Sequence, residues 1–317
     1  MLSVRERFIW NKFQDDKLTG LKEMIPGKAH FVVPTTAYAA GFAVRDSGNW
    51  ARNYNGFVYD SLKLAHDACV DGRGDAIVLL PGTHTVSTAS IAMNKAGVKI
   101  FGPEAWMGLD CRRPSAVLTT NIAGDEILNV TAPDCGLIGV TVQPITASDA
   151  IDLSAAADQF LIDLCHFDLY TPAVNIATAG LTLAAADYAM IRRSLFVSDG
   201  AQGLAIVATG SIGARITDCR FLCTAGTWAA AILCGAATSG LLIDYSDFDC
   251  YGTAITAPVD GTGATIARGV SVQYCNFGNL CTVPVDNFDA NEAELNECYK
   301  RGVGGGTDGG TKIVAIT

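Results

Sequence analysis

The chain has 317 residues, 50% of them hydrophobic and 17% charged, so it can bury a large core and is not expected to be disordered. Its formal net charge of −10 argues against the broad basic surface that nucleic acid requires. No apolar run reaches the roughly 18 residues of a membrane span, and the first residues lack the apolar stretch of a signal peptide. We therefore expect synthesis in a cytoplasm, with neither nucleic acid nor membrane as a partner.

Residues 1–55 are predicted to form an irregular arm that docks on a partner. Residues 1–28 carry six basic and four acidic side chains, which gives the arm a charge of +2 and leaves −12 on the remainder. Aromatic and arginine side chains are frequent anchors of interfaces. The candidate docking residues are Arg5, Arg7, Phe8, Trp10, Lys12 and Phe13. Folding of the arm back onto its own chain is an equally good interpretation.

A capping helix is predicted near residues 61–70. Ser61 is a good N-cap residue, and Asp71 and Gly72 provide a stop signal. The sequence AIVLL at 76–80 then predicts a strand, and the Pro81-Gly82 pair that follows predicts a turn.

A seven-residue phrase, first seen as LIDLCHF at 161–167, recurs four times downstream and always ends on phenylalanine. Successive endings are 29, 25, 27 and 29 residues apart, and the final residues are Phe167, Phe196, Phe221, Phe248 and Phe277. Five positions before each phenylalanine stands isoleucine or valine, and two positions before it stands cysteine or serine. Similarity at this period predicts stacked structural units in which like residues lie over one another.

Turn residues and a second apolar patch follow each phrase, which leaves no room for a helix within a unit. This excludes leucine-rich repeats, and the absence of a six-residue period excludes a hexapeptide helix. We therefore predict an all-β fold, a right-handed parallel β-helix of about six or seven coils over residues 56–285. The phrase and the helix before an LPGT sequence at 80–83 resemble pectate-lyase-like β-helix proteins, including virion proteins of tailed bacteriophages.

The end of the chain, residues 286–317, is predicted to hold a closing helix in DANEAELNECYKR at 289–301, followed by a glycine-rich tail. Such covers protect the open rungs at the ends of a coil stack from pairing with other chains.

The cysteines indicate neither a metal site nor an extensive disulfide framework. Cys165, Cys219 and Cys275 fall two rungs apart, roughly 9.6 Å, which is too far for a bond between them. Cys223 and Cys250 fall on adjacent rungs, so a bridge and two reduced thiols both remain open, and a reducing compartment favours the thiols. We predict no metal and no cofactor.

A catalytic site is considered only as an alternative. Its candidate residues are Asp218, Asp244, Asp247 and Arg220, which fall on neighbouring rungs. Paired aspartates could act as acid and base on a glycosidic bond. However, Arg220 and Asp247 share one column on adjacent rungs, as do Asp163 and Arg192, and this pattern is typical of structural charge pairing.

The resemblance suggests a phage-like origin, and the lack of a catalytic constellation favours a non-enzymatic structural protein of a tailed-phage virion that decorates or cements the capsid surface. The expected partners are the major capsid protein or other virion subunits, and the expected oligomer is a homotrimer. The first alternative is a tail-spike or polysaccharide depolymerase, a lyase or hydrolase acting on host surface glycans. The second is a carbohydrate-binding surface module without turnover.

Overall fold

The structure is a computed structural model that describes most of the region from residue 26 to residue 300. The described residues are 26–34, 57–87, 89–102, 114–122, 124–144, 149–169, 179–199, 203–261, 269–283, 285–286, 288, 293–300 and 311–312. The predicted docking residues Arg5, Arg7, Phe8, Trp10, Lys12 and Phe13 lie outside these ranges. Most of the glycine-rich tail also lies outside them.

The described chain winds through three parallel sheets, here called A, B and C, which it visits in that order once per coil. This path confirms the predicted parallel β-helix. There are about eight turns, more than the six or seven predicted. Coils upstream of Phe167 follow the same path without ending the phrase on phenylalanine, and residues 293–300 add strands beyond the predicted end of the solenoid.

Sheet A has 11 strands, and the amino-terminal β1 pairs with both β2 and β3, so the predicted arm contributes one strand to the sheet. Its strands are β1 Ala29–Val32, β2 Phe57–Tyr59, β3 Ala76–Leu79, β6 Lys99–Phe101, β9 Gly136–Ile138, β12 Leu161–Asp163, β15 Met190–Arg192, β18 Arg215–Thr217, β21 Leu242–Asp244, β24 Val270–Gln273 and β27 Ala293–Asn296.

Sheet B has 10 strands, all parallel except β29, which pairs antiparallel with β28 at the carboxyl-terminal end. They are β4 Gly82–Val86, β7 Ala116–Thr120, β10 Thr141–Pro144, β13 His166–Asp168, β16 Leu195–Ser198, β19 Arg220–Cys223, β22 Asp247–Cys250, β25 Asn276–Phe277, β28 Tyr299–Lys300 and β29 Thr311–Lys312.

Sheet C has 8 strands and contains the second apolar patches that follow Phe196, Phe221 and Phe248. They are β5 Ile91–Met93, β8 Leu128–Val130, β11 Ile151–Leu153, β14 Ala179–Ala184, β17 Leu204–Thr209, β20 Thr227–Cys234, β23 Ala254–Asp260 and β26 Val285–Asp286.

The repeated phenylalanines fill the interior, as predicted. Phe167, Phe196, Phe221, Phe248 and Phe277 stack with ring centroids 4.5, 5.1, 4.8 and 5.1 Å apart, and no ring is tilted by more than 15° from the next. All five side chains are fully buried. A parallel ladder of isoleucines runs along sheet A beside them. Stacking of like side chains excludes water along the whole axis.

Two residues form each corner between sheets A and B. The first residue takes a left-handed conformation, and the second belongs to the small cysteine and serine column, except at the first of these corners, where it is Val140. The left-handed residues are Gly139, Leu164, Arg193, Asp218, Tyr245, Tyr274 and Glu297, with φ between 48° and 66°. In the small column, the Cys165 amide donates to the Ser194 hydroxyl at 3.1 Å, and the Cys219 amide donates to the Ser246 hydroxyl at 3.2 Å. These bonds satisfy polar backbone groups that the sharp turn leaves out of the ladders.

The predicted capping helix is present as α1, Leu62–Ala68, and the side chain of its N-cap Ser61 accepts a hydrogen bond from the Leu64 amide. The Lys95 ammonium group donates to the carbonyl oxygens of residues 66, 67 and 69 at 2.9, 2.6 and 2.7 Å. A cation there satisfies carbonyl groups that a helix end leaves unpaired. Among the described residues, no helix is long and apolar enough to cross a membrane.

The predicted closing helix at 289–301 is wrong where the structure describes it. Residues 293–296 form strand β27, and residues 299–300 form strand β28. Leu295 stacks in register on Val272 and extends the isoleucine column, and Cys298 extends the small column and is fully buried. Pairing with β24 therefore overrides the local helix propensity of the sequence.

Candidate functional site

The predicted alternative site residues Asp218, Asp244, Asp247 and Arg220 do lie on neighbouring rungs. The Asp218 amide donates to the Asp244 carbonyl oxygen at 3.1 Å, and Arg220 is in register with Asp247. Their side chains differ in exposure, because Asp218 is exposed, Asp247 is half-buried and Asp244 is buried. The four residues are thus close in the fold but do not share one open pocket.

Three of the four residues are engaged with structural partners. Arg215 forms a salt bridge with the buried carboxylate of Asp244. The Asn276 amide nitrogen donates to Asp247 at 2.8 Å.

Arg220 does not pair with Asp247, the partner that its column predicted. Its guanidinium instead donates to Asp249 at 2.8 Å. The predicted pairing of Asp163 with Arg192 is confirmed, at 2.9 Å, and Arg193 also binds the same carboxylate. Nearly all of these contacts join one rung to the next, which is the geometry of structural charge ladders.

A carboxylate cluster that sequence reasoning missed lies on the outer face of sheet C. It consists of Glu126, Asp149 and Asp152. Asp149 accepts hydrogen bonds from the Ala179 amide at 2.8 Å and from the Thr182 hydroxyl at 2.7 Å. Partial burial, followed by the negative charges of Asp149 and Glu126, raises the pKa of Asp152 above its ordinary value.

The arrangement of the carboxylate cluster can support acid–base chemistry. A carboxyl group with a raised pKa beside a second carboxyl group is a combination that glycosidic hydrolysis uses. The same oxygens are also of the type that hard cations prefer.

A sequence signal for the carboxylate cluster exists. Glu126 and Asp149 each stand two residues before the first residue of a sheet C strand, and Leu128 pairs with Ile151. The coils that contain Glu126 and Asp149 could not be aligned from the sequence, because the phenylalanine phrase that sets the register begins only at residue 161.

A buried group of metal-ligand types lies at the amino-terminal end, although no metal site was predicted. One potential ligand atom each from His30, Cys69 and Asp75 lies within 4.8 Å of the others. A set of cysteine, histidine and aspartate has the ligand chemistry of zinc sites.

The hydrogen bonds of Asp75 argue against a metal in this group. Its two carboxylate oxygens accept from Arg73 at 2.6 and 2.5 Å and from the amides of Lys28 and Val70, both at 2.7 Å. These four bonds fill the four lone-pair positions of a carboxylate. Burial alone would raise the pKa of Asp75, but these bonds hold it at about 2. Asp75 therefore joins β1, α1 and the first coil as a structural anchor.

Cys223 and Cys250 are in register on adjacent strands, as the sequence predicted, and both are free thiols. Burial raises the pKa of Cys165 and of Cys219 to about 12. A thiol with such a pKa is neither a nucleophile nor a metal ligand at neutral pH.

Exposed tyrosines form a further surface feature, separate from the carboxylate cluster. Tyr245 and Tyr274, here called the tyrosine pair, stack with ring centroids 5.0 Å apart and an interplanar angle of 11°. They occupy successive positions in the left-handed corner column between sheets A and B. Tyr251, which directly follows β22, is 71% exposed, and its hydroxyl accepts a hydrogen bond from Arg220 at 3.4 Å.

Comparisons with known proteins identify the fold but no family. No family model and no curated protein matches the sequence. The structure is similar to a pectin methylesterase in complex with hexasaccharide VII, with a TM-score of 0.56 and 10% identity over 87% of this chain and 91% of that one. A pectin methylesterase mutant in complex with hexasaccharide IV gives a TM-score of 0.52 and 11% identity, with the same coverage of both chains.

A third similar structure, ORF18 of Geobacillus virus E2, gives a TM-score of only 0.32 at 12% identity, over 75% of this chain and 56% of that one, and carries no weight. At these identities, the likeness to the pectin methylesterases shows a common β-helix fold and leaves activity to be argued from the sites.

Proposed function

We propose that the chain is a non-enzymatic structural protein, a β-helix subunit that decorates or cements the surface of a tailed-phage virion. The observation that carries this proposal is the use made of the outer acids and bases. Asp163, Asp244 and Asp249 are each bound by arginine, and all four of these arginine pairings join neighbouring rungs. Side chains committed to one another in this way hold coils together and are poorly placed to bind a substrate.

The interior supports the same role. The five stacked phenylalanines and the buried column of cysteines and serines make a continuous core among the described residues. Each coil adds one set of nearest-neighbour contacts, so stability accumulates along the stack. A particle surface needs this kind of durable, repetitive scaffold.

The proposal includes the predicted partners. In the assembly, the arm residues Arg5, Arg7, Phe8, Trp10, Lys12 and Phe13 contact another virion subunit, and the chain forms a homotrimer.

Two measurements test the structural role. Purified protein is incubated with a panel of acidic polysaccharides, with and without calcium, and then co-sedimented with particles that lack it. We expect no new reducing ends or unsaturated sugars and specific attachment to the particle. A W10A/F13A double variant should lose attachment, whereas Tyr251→Ala should retain it. Turnover of a polysaccharide, or unchanged attachment of the double variant, would contradict the proposal.

A second candidate function, cleavage of a polysaccharide, is favoured by one observation, the raised pKa of Asp152 beside Asp149 and Glu126. The fold is shared with proteins solved in complex with hexasaccharides. If the panel reveals turnover, Asp152→Asn should abolish it because the proton donor is lost. Asp247→Asn is the matched control on sheet B and should leave turnover unchanged. The reverse result would place the chemistry at the residues first predicted.

A further inference from the structure

The small column ends in two cysteines on adjacent rungs. Cysteine alternates with serine along this column until the last step, and its members in order are Cys165, Ser194, Cys219, Ser246, Cys275 and Cys298. Strands β24 and β27 pair in register two residues before the last two cysteines, and β25 and β28 pair in register directly after them. Adjacent rungs lie about 4.8 Å apart, and disulfides join Cα atoms about 4.4–6.8 Å apart. The spacing of Cys275 and Cys298 therefore permits a disulfide.

Cys298 occupies the position that serine holds at two earlier corners. The hydroxyls of Ser194 and Ser246 each accept a hydrogen bond from the amide of the cysteine on the preceding rung. At the last corner the Cys275 amide donates to the Cys298 sulfur in the same way, and the two thiols also share a hydrogen bond. The Cys298 Sγ lies 3.3 Å from the carbonyl oxygen of Val272, which is on the same rung as Cys275. The Cys298 sulfur is therefore directed toward the rung of its partner.

These hydrogen bonds make Cys298 the more reactive of the two thiols. The hydrogen bond from the Cys275 thiol lowers the pKa of Cys298 against the opposing effect of burial, and the bond from the Cys275 amide lowers it further. The same contact between the thiols, together with burial, raises the pKa of Cys275. The thiolate is the form that attacks a disulfide, so Cys298 is the attacking sulfur.

The place of the pair in the coil stack gives a reagent a route to it, although both side chains are fully buried. Strand β27 is the last strand of sheet A, pairs only with β24 among the described residues and has no fully buried side chain. Elements with few buried contacts open locally more easily than interior ones. Cys223 and Cys250, the other pair in register, lie on β19 and β22, each of which has a neighbouring strand on both sides. Opening of the last described coil therefore exposes Cys298 and leaves the other pair covered.

We infer that Cys275 and Cys298 form a redox modification site, at which a disulfide joins the rung of β27 to the rung of β24 in an oxidising medium. In a reducing compartment the pair remains two thiols. The bond fastens the end of sheet A, where β27 has a partner on one side only among the described residues. The inference depends neither on particle attachment nor on the proposed structural role.

The oxidant is a small-molecule disulfide such as oxidised glutathione. The Cys298 thiolate attacks one glutathione sulfur, the S–S bond of the reagent breaks, and the departing glutathione thiolate takes up the proton that Cys298 released. The Cys275 Sγ, 3.7 Å from the Ile243 carbonyl oxygen, turns toward Cys298, loses its proton and attacks the Cys298 sulfur of the mixed disulfide. The second glutathione leaves as a thiol. Two cysteines are thus oxidised to one disulfide, and oxidised glutathione is reduced to two thiols.

Thiol mapping of the full-length protein tests the site. The folded protein is incubated with oxidised glutathione, quenched in acid, alkylated with N-ethylmaleimide under denaturing conditions and digested with trypsin and a protease that cleaves before aspartate. These cleavages place Cys275 in the peptide 269–285 and Cys298 in the peptide 289–300. We expect a disulfide between the two peptides that is lost after treatment with reduced glutathione.

Three variants identify the sulfur atoms that react. Cys298→Ser should abolish the linked species and should still fold, because serine holds this corner position at residues 194 and 246. Cys275→Ser should also abolish the link. Cys281→Ser is the matched control, because Cys281 lies in the same peptide as Cys275, and it should leave the link unchanged. Circular dichroism confirms that the variants remain folded.

Hydrogen exchange measures the effect of the bond on the coil. Oxidation should slow the exchange of the β27 and β28 amides by about tenfold or more, and it should have no effect in Cys298→Ser. Absence of the linked peptides from the folded, fully incubated protein, or a link that persists in Cys275→Ser, would overturn the inference. A link formed only between Cys223 and Cys250 would also overturn it, because the interior pair would then be the reactive one.

Discussion

The amino-terminal cap and the middle coils of this molecule are stabilised in different ways. In the coils, one residue type recurs at each interior position, so every phenylalanine rests on another at about the same spacing. In the cap, α1 and the first coils bury His66, Asp75 and His84, which are held by specific hydrogen bonds or buried among unlike neighbours. The comparison shows that the repeated coils are stabilised by stacking of like apolar side chains, whereas the cap, which has no repeat to stack on, depends on directional polar contacts.

This difference predicts different responses to substitution and to pH. Removing a stacked ring should weaken the coils at any pH, because apolar burial carries no proton. Acidification should weaken the cap first, because its buried polar groups titrate.

The largest effect is expected from Phe221→Ala in the middle of the ring stack. The substitution removes a fully buried ring between Phe196 and Phe248 and leaves a cavity, so the free energy of unfolding should fall by about 3–5 kcal/mol. Urea denaturation followed by circular dichroism measures the loss. Tyr251→Ala, which removes an exposed ring, serves as the control. A loss below 1 kcal/mol for Phe221→Ala would show that the stack does not carry the core.

Acid should destabilise the cap through His84. This side chain is 5% exposed, and its Nε2 lies 2.8 Å from the Leu80 carbonyl oxygen. Burial lowers the pKa of His84 to about 4, below the value of about 6.5 in an unfolded chain. Between these values only the unfolded state takes up the proton, so stability is complete above pH 6.5 and is lost as the pH falls toward 4, by about 3 kcal/mol.

Hydrogen exchange at pH 7 and pH 4.5 measures this response. Amides of α1 and of β3 to β5 should lose protection at pH 4.5, while those of β16, β19 and β22 should keep theirs after correction for intrinsic exchange rates. His84→Gln should flatten the pH dependence of the cap. Equal loss of protection in the cap and in the middle coils at pH 4.5 would contradict the expectation that acid weakens the cap first.

A moderate effect is expected from Lys95→Met. The variant keeps most of the aliphatic stem but loses the three hydrogen bonds to the carbonyl end of α1. Helix protection in hydrogen exchange should fall by about 1–2 kcal/mol. Lys99→Met is the matched control, since that ammonium donates one hydrogen bond, at 3.1 Å, to the Asp134 carbonyl. Similar losses of helix protection in the two variants would argue against the role of Lys95 at the carbonyl end of α1.

The smallest effect is expected from Lys63→Ala on the exposed face of α1. Lys63 and Asp67 form an i,i+4 salt bridge at 2.7 Å with side chains 58% and 52% exposed. Such pairs contribute about 0.3–0.5 kcal/mol and are screened by salt. Thermal unfolding should therefore change little in dilute buffer and not at all in 1 M salt. A loss that persists in salt would indicate that the stem of Lys63 packs on the helix.

The sequence predicted the middle of the fold well because like residues recur there at fixed positions. The columns of isoleucine, of phenylalanine and of cysteine or serine recur at matching positions of the repeated phrase, and Ser61 marked the start of the helix. The predicted solenoid ended at residue 285, so the strands at 293–296 and 299–300 were missed. The closing helix was predicted from local propensity, which cannot anticipate that Leu295 will pair with Val272.

The outer sites were harder to predict because side-chain reach and register decide them. Arg220 lies opposite Asp247, but its long side chain extends to Asp249, the diagonal neighbour on the next strand. Asp152 could not be recognised from the sequence, since its environment depends on charges brought together by coils of unlike sequence. The role of Asp75 was missed because one of its partners, the Lys28 amide, lies 47 residues away, although Val70 and Arg73 are close in sequence.

The residues of the left-handed corner column lie at regular intervals along the axis of the coil, so they can serve as attachment points at known separations. The same backbone geometry recurs there with glycine, leucine, arginine, aspartate, tyrosine and glutamate, so the coil dictates the conformation and the side chain is free to vary. Pairs of spectroscopic labels attached at chosen corners would report distances in steps of about 4.8 Å along one straight line. Short peptides grafted at the same corners would be displayed at equally regular intervals.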